Sequence, residues 1–253
     1  MRIEDIDTVR CTPELEARML EDLEWLGLQW DETPRRQSEH FDEYEKAISR
    51  LNEFGLLYPS KLSRSEIKKK ISSFEEDTGE FWPRDPDGAP LYPGKERELD
   101  QCSQKSIMES GVQYSVRLHI HKAIKRINKQ LVWHETGSGN FESITAMPSL
   151  WGDVVVARKD TPTSYHIACT LDDALQGITH IVRGQDLFHA TAIHRLLQTL
   201  LDLPEPTYHH HRLIRDKSGR KLSKSEKDTS IRSLREVGVT QSEIRKRLGF
   251  SDV

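Results

Sequence analysis

Cysteine is nearly absent. Cys11, Cys102 and Cys169 are the only three in 253 residues, odd in number and far apart. That spacing offers neither a disulfide framework nor a metal-ligand cluster, and it fits a reducing compartment. No apolar run is long enough to cross a bilayer as a helix. The opening Met1–Asp7 stretch lacks the apolar core of a signal peptide. A cytoplasmic protein with no membrane partner is therefore expected. Neither an internal repeat nor a low-complexity tract is present. A global basic charge is missing too: the net charge is −4, so any RNA contact must come from local patches. Charged residues nevertheless make up 31%, and the length suffices for one large or two small domains with a real core.

The charge is unevenly distributed. From Arg212 to Lys227 there are seven basic residues and two acidic ones, around Gly219 and several serines. Ammonium groups beside flexible backbone suit a triphosphate, although the same run also suits a solvated basic loop. Ahead of it stands His209-His210-His211. Consecutive residues in regular backbone cannot all face one ion, so no metal is expected there.

Local signals place several elements. Residues 2–7 alternate around Ile3 and Ile6 as a short strand. Thr12-Pro13 caps a helix carrying Leu15, Met19, Leu20, Leu23 and Leu26, which Gly27 stops. A second helix runs from about Ser38 to Phe54 with Phe41, Tyr44, Ile48 and Leu51 inward. Ser63-Arg64-Ser65-Glu66 has capping-box spacing. From Glu75 to Asp100, prolines and glycines among acidic residues predict a loop-rich insert. Residues 111–147 are ambiguous between strand and helix. Then 153–158, 165–169 and 178–182 read as buried strands, and Asp186 as the cap of a helix presenting Leu187, Ile193, Leu196, Leu197 and Leu200. Apolar strands alternating with amphipathic helices predict an α/β fold with a parallel sheet. Two short helices end the chain, the last opened by Thr240-Gln241-Ser242-Glu243 and closed by Gly249.

Five segments, in order, resemble glutamyl-tRNA synthetases of class I. They are Arg2-Ile3-Glu4-Asp5-Ile6-Asp7, Asp22–Glu32, and Gln37-Ser38-Glu39-His40 with Tyr44, where His40 replaces the usual arginine. Ile178-Thr179-His180-Ile181-Val182-Arg183-Gly184-Gln185-Asp186-Leu187 and Lys221-Leu222-Ser223-Lys224-Ser225 complete the set. Any one is weak alone; the ordered set is specific. The match covers roughly 1–60 and 150–228. The resemblance implies a Rossmann-like catalytic domain of residues 1–57 and 150–205, an inserted acceptor-type subdomain of 58–149, and a lysine-serine loop with short helices over 206–253.

It also implies ATP-dependent activation of L-glutamate to glutamyl-adenylate. Positioning and charge neutralisation suffice for that step, without a protein nucleophile or other catalytic side chain. Glu4 would hold the substrate ammonium, Tyr165 would line the glutamate pocket and Arg183 would pair with a carboxylate, bidentate if the geometry allows. Lys224 would contact ATP phosphates, supported by Lys221 and Ser223, with at least one of His209–His211 lining the ATP site. Magnesium would travel on ATP. On the residues alone, Glu4 equally suits a surface carboxylate, Tyr165 a core aromatic, Arg183 a structural ion pair and Lys224 a solvated cation.

With 28 residues after Ser225, the chain resembles the short branch of the family, the glutamyl-Q tRNA(Asp) synthetases. That branch needs no tRNA for activation and transfers glutamate to queuosine in the anticodon loop of tRNA(Asp); a monomer is expected. The alternatives are a fragment of a synthetase charging tRNA(Glu) and a catalytically inactive paralog. The branch often carries a zinc site, but its thiolate positions are held here by Ser60, Leu62 and Glu96, with Tyr92 kept, so zinc is not expected. The family's first strand and its histidine-containing phosphate signature precede the Arg-Ile-Glu-Asp segment. The expectation is therefore an amino-terminally incomplete domain: either the true start lies upstream of Met1, or the protein is shortened and in that case forms little or no adenylate.

Overall fold

A computed structural model describes residues 1–158, 160–216, 218–222 and 230–250. In chain order the elements begin with β1 (Arg2–Ile3), α1 (Pro13–Trp25), β2 (Arg35–Arg36), α2 (Phe41–Glu53), β3 (Leu57–Ser60) and α3 (Arg64–Thr78). There follow α4 (Gln101–Glu109), β4 (Ser115–Leu118), α5 (Ile120–Ile127), β5 (Val132–Glu135), β6 (Glu142–Thr145) and β7 (Val155–Arg158). The last are α6 (Tyr165–Leu175), β8 (His180–Gly184), α7 (Thr191–Leu200), β9 (Thr207–His211), α8 (Ile231–Glu236) and α9 (Gln241–Leu248).

By contacts the chain divides into two compact units, residues 1–36 with 212–253, and residues 37–211. In the first, β1 and β2 pair in parallel. Thr12 caps α1 with Pro13 in its first turn, as expected. Arg235 of α8 reaches Asp22 and Glu21 of α1, both at 3.0 Å, and lies over the Trp25 ring. Thr240 and Glu243 close a capping box on α9, and Gly249 ends it at φ 91°.

The second unit holds two sheets. One is antiparallel, in the order β3-β4-β7. The other has the order β6-β5-β9-β8, with β5, β9 and β8 parallel and β6 antiparallel. The expected parallel sheet is present in β5, β9 and β8, but β6 and the β3-β4-β7 sheet are antiparallel, so the sheets are mixed. The strand at 155–158 pairs antiparallel with β4, and β6 folds back on β5 as a hairpin. Sheet membership also cuts across segment 58–149: β4 pairs with β7, while β5 joins β8 and β9.

Two further elements differ from expectation. Tyr165–Cys169 is not a strand but the start of α6, whose Ser164 cap accepts the Ile167 N–H. Ile167, Ala168, Cys169 and Thr170 are all buried, and a short run buried on every side carries no period to separate helix from strand. Asp186 does not cap α7. A 3-10 turn over Gln185–Leu187 intervenes, and α7 starts after Ala190 without a side-chain cap. Packing positions α7: Ile193, Leu196, Leu197 and Leu200 are buried with almost every neighbour in the helix. In the ambiguous 111–147 stretch both readings hold, with β4 running directly into α5.

Candidate functional site

Strand β9 carries Tyr208 to His211, and its alternation sends Tyr208 and His210 into the core. The three histidines therefore do not share a face. On one side, β8 runs parallel with Arg183 opposite His210; on the other, β5 places Glu135 opposite Tyr208. Arg183 comes to lie 5.1 Å above the Tyr208 ring.

The half-buried guanidinium of Arg183 is held on all sides. Its Nε donates to His210 Nε2 at 3.0 Å and its Nη1 to His194 Nδ1 at 2.9 Å. The two Nη2 hydrogens reach Leu187 O at 3.3 Å and Thr191 Oγ1 at 2.6 Å. Of five guanidinium N–H groups, these contacts use four, leaving one on Nη1. Bidentate pairing with a carboxylate through this arrangement would require one of those bonds to open.

Tyr165, at the start of α6, lies against the same histidines. Its ring is 5.8 Å from that of His194 and 5.9 Å from that of His166. His194 Nε2 is in turn 3.0 Å from His166 Nδ1. Burial, with the nearby Arg183 charge, lowers His166 to about 4 and His194 well below its ordinary value. Both rings are therefore neutral near pH 7, as an acceptor of an arginine N–H must be. Burial lowers His210 as well, against the opposing pull of Glu135. Burial pushes the Tyr208 phenol up to about 12, and its oxygen accepts from Gln198 Nε2 at 3.0 Å.

Behind His210 sits Glu135, buried at 4% exposure. Its Oε2 lies 2.5 Å from His210 Nδ1, and its Oε1 accepts from the backbone N–H groups of His210, Gly137 and Thr136 at 2.8–3.1 Å. Burial alone would raise its pKa, but these donors outweigh it and the net shift is downward. Gly137 permits the close approach: a Cβ there would sit 2.4 Å from His210 O. Glu135, His166 and His194 escaped the sequence reading. The pattern Glu135-Thr136-Gly137 after a strand, and a histidine directly following Tyr165, were the available signals.

The expected site residues thus divide. Tyr165 and Arg183 meet around His194 in the second unit. In the first unit, the exposed Glu4 follows β1 and pairs with Arg2 at 2.8 Å. Lys221 pairs with Arg215 in an antiparallel bridge around Gly219, where Asp216 accepts from Ser218 and Arg220. Ser223 and Lys224 lie outside the described residues. A cavity of about 490 Å³ opens elsewhere in the second unit, lined by Tyr58, Arg97, Lys105, His119 and Lys122 among others. None of the expected site residues lines it.

Ser60, Leu62, Tyr92 and Glu96, at the expected zinc positions, do converge. Tyr92 Oη donates to Glu96 Oε2 at 3.1 Å and accepts the Leu62 N–H at 3.4 Å. Ser60 Oγ donates to Ser115 O and accepts from Arg117 Nε. The set contains no thiolate or imidazole, and leucine supplies no side-chain donor, so it does not fit tetrahedral zinc. Among the described residues, no group of three or more His, Cys, Asp or Glu is arranged to hold a metal.

Comparison with known proteins bears on this geometry. Residues 1–251 match the family described as tRNA synthetases class I (E and Q), catalytic domain. The glutamyl-Q tRNA(Asp) synthetase of Rhodobacter capsulatus is 39% identical over 99% of this chain and 87% of its own length. The glutamate–tRNA ligase of Aquifex aeolicus is 32% identical over 94% of the chain. The chain spans only 46% of that ligase and a similar share of others like it. A crystal structure of a glutamate tRNA ligase from Elizabethkingia meningosepticum, in complex with its amino acid, superposes with a TM-score of 0.69 and 25% identity. That superposition covers 94% of this chain and 46% of the other. With its α/β fold and five ordered segments, the chain belongs to the class I tRNA synthetase (E and Q) catalytic-domain family.

Proposed function

We propose that this protein activates L-glutamate with ATP, without tRNA, and transfers it to the queuosine base in the anticodon loop of tRNA(Asp). The observation that carries the reading is the 39% identity with the R. capsulatus glutamyl-Q tRNA(Asp) synthetase across 87% of that protein's length. The glutamate–tRNA ligases it also resembles are about twice as long.

On this reading the protein supplies no nucleophile. The glutamate carboxylate attacks the α-phosphate and pyrophosphate leaves; a hydroxyl of the modified base then attacks the activated carbonyl, forming the ester as AMP leaves and the hydroxyl proton is released. Arg183 presents its remaining N–H to a substrate carboxylate, in a charge-assisted bond strengthened by the surrounding burial. Tyr165 lines the amino-acid pocket and Glu4 meets the ammonium. Lys224 contacts the ATP phosphates, with Lys221 and Ser223 supporting its segment, and magnesium comes with the nucleotide on its phosphate oxygens.

The test is glutamate-dependent ATP–pyrophosphate exchange without tRNA, followed by transfer of labelled glutamate. Exchange without tRNA, with label on tRNA(Asp) only when it carries queuosine, supports this reading; no exchange would match the loss of adenylate formation expected of a shortened, inactive paralog. Label on the 3′-terminal ribose of tRNA(Glu) would instead assign the chain to tRNA(Glu) charging.

A further inference from the structure

Glu135, His210 and Arg183 form a line of hydrogen bonds in which the state of each member fixes the next. Oε1 of Glu135 faces three backbone N–H groups, so only an acceptor fits there. Its Oε2 faces His210 Nδ1 and, at 3.4 Å, the Trp133 indole N–H. An ionised carboxylate at that place requires the proton of neutral His210 on Nδ1. The lone pair is then on Nε2, where the Arg183 Nε–H arrives. His194 acts alike from the other side: accepting Arg183 Nη1 at Nδ1 puts its own proton on Nε2, toward His166.

We propose that Glu135 is a positioning residue for substrate glutamate: by selecting the Nδ1–H tautomer of His210, it holds Arg183 with its free N–H presented to the ligand. The inference rests on the reading of Arg183 as the partner of a substrate carboxylate. Glu135 itself need not touch the substrate. Its contribution is to remove the guanidinium's rotational freedom before binding, which lowers the ordering cost of recognition.

The substitution Glu135→Gln separates this role from mere packing. The three backbone donors force the amide oxygen into the Oε1 place, so the NH₂ faces His210 Nδ1. His210 must then accept at Nδ1 and carry its proton on Nε2, opposite the Arg183 Nε–H. Two donors meet, or the Nε2–H turns to Thr191 Oγ1, 3.3 Å away; either way the bond from Arg183 Nε is lost although size and shape are preserved.

The experiment measures glutamate affinity by calorimetry on the full chain and its E135Q and R183A variants. Histidine tautomers are read by long-range nitrogen–proton NMR. The expected result is an affinity loss of about tenfold in E135Q, unchanged ATP affinity, and a His210 tautomer reversed from Nδ1–H to Nε2–H. If R183A loses glutamate while E135Q stays within about twofold of the parent, Glu135 does not position Arg183 and the glutamate reading stands. If R183A binds glutamate normally, both fall together. Should E135Q fail to fold, the parent spectrum still decides, because an Nε2–H tautomer at His210 contradicts the line of bonds.

Discussion

The guanidinium of Arg117 lies 4.0 Å from the centre of the Tyr92 ring. Its Nη1 also donates to Asp153 O at 2.6 Å and its Nε to Ser60 Oγ at 3.1 Å. Burial, with the neighbouring Glu96 carboxylate, pushes the Tyr92 phenol up to about 12, so the ring stays a neutral π face for the cation. Arginine thereby joins β3, β4 and the 92–96 loop, a junction a metal could otherwise hold.

Replacing Arg117 by alanine should remove the stacking and leave buried acceptors without their donor, at a cost of about 2–4 kcal/mol. Arg117→Lys keeps the charge but loses the planar fork, and should recover only part. Urea unfolding of the three proteins measures the order. In thermal unfolding, treatment with a chelator, or added zinc, should shift the midpoint of the parent by less than about 1 °C. A rise of several degrees with zinc would show that the cluster takes metal after all.

A second prediction concerns Gln37 and Tyr44, which the family resemblance singled out. Both donate at 2.9 Å to Oδ2 of Asp172, which is fully buried in α6. The segment thus ties α2 and its entry turn to α6, the helix that starts with Tyr165. Tyr44→Phe removes one donor from a buried carboxylate, with an expected stability loss of about 1–3 kcal/mol. Tyr165 would remain in place, so glutamate affinity measured by calorimetry should change by less than about twofold. A large affinity loss with little change in stability would assign Tyr44 to the ligand instead.

These cases show what was legible beforehand. Thr12-Pro13, Ser63 with Glu66, and Thr240 with Glu243 act within four residues, so their caps could be read directly. Arg183 was singled out by one of the ordered motifs, and Tyr165 only by the family resemblance. Glu135 was out of reach because its role depends on β5 pairing with β9, some seventy residues away, in a parallel register that no local pattern encodes. The helix at Tyr165 was missed for a related reason. Its buried run packs against α2 and α7, and neighbours from distant segments decide its conformation more than its own period does.

The histidines around Arg183 give the third prediction, a loss of stability on mild acidification. His166, His194 and His210 all have folded-state values below the ordinary 6.5, chiefly through burial. Above that value neither folded nor unfolded chain binds a proton at these rings, and pH has no effect through them. Below it the unfolded chain takes up protons that the folded protein refuses, so stability falls. The slope approaches about 1.4 kcal/mol per pH unit for each ring, until the folded value is reached. For His166 that limit is about 4. Glu135 acts in the same direction, but only below its ordinary 4.5, so it adds little across most of the window. Urea unfolding at intervals between about pH 7.5 and 4.5 should show stability flat at first and then falling. In His166→Gln the fall should be shallower, because one of the titrating rings is gone. A flat profile would mean that these rings accept protons in the folded state, and then His194 could not be accepting a hydrogen bond from Arg183.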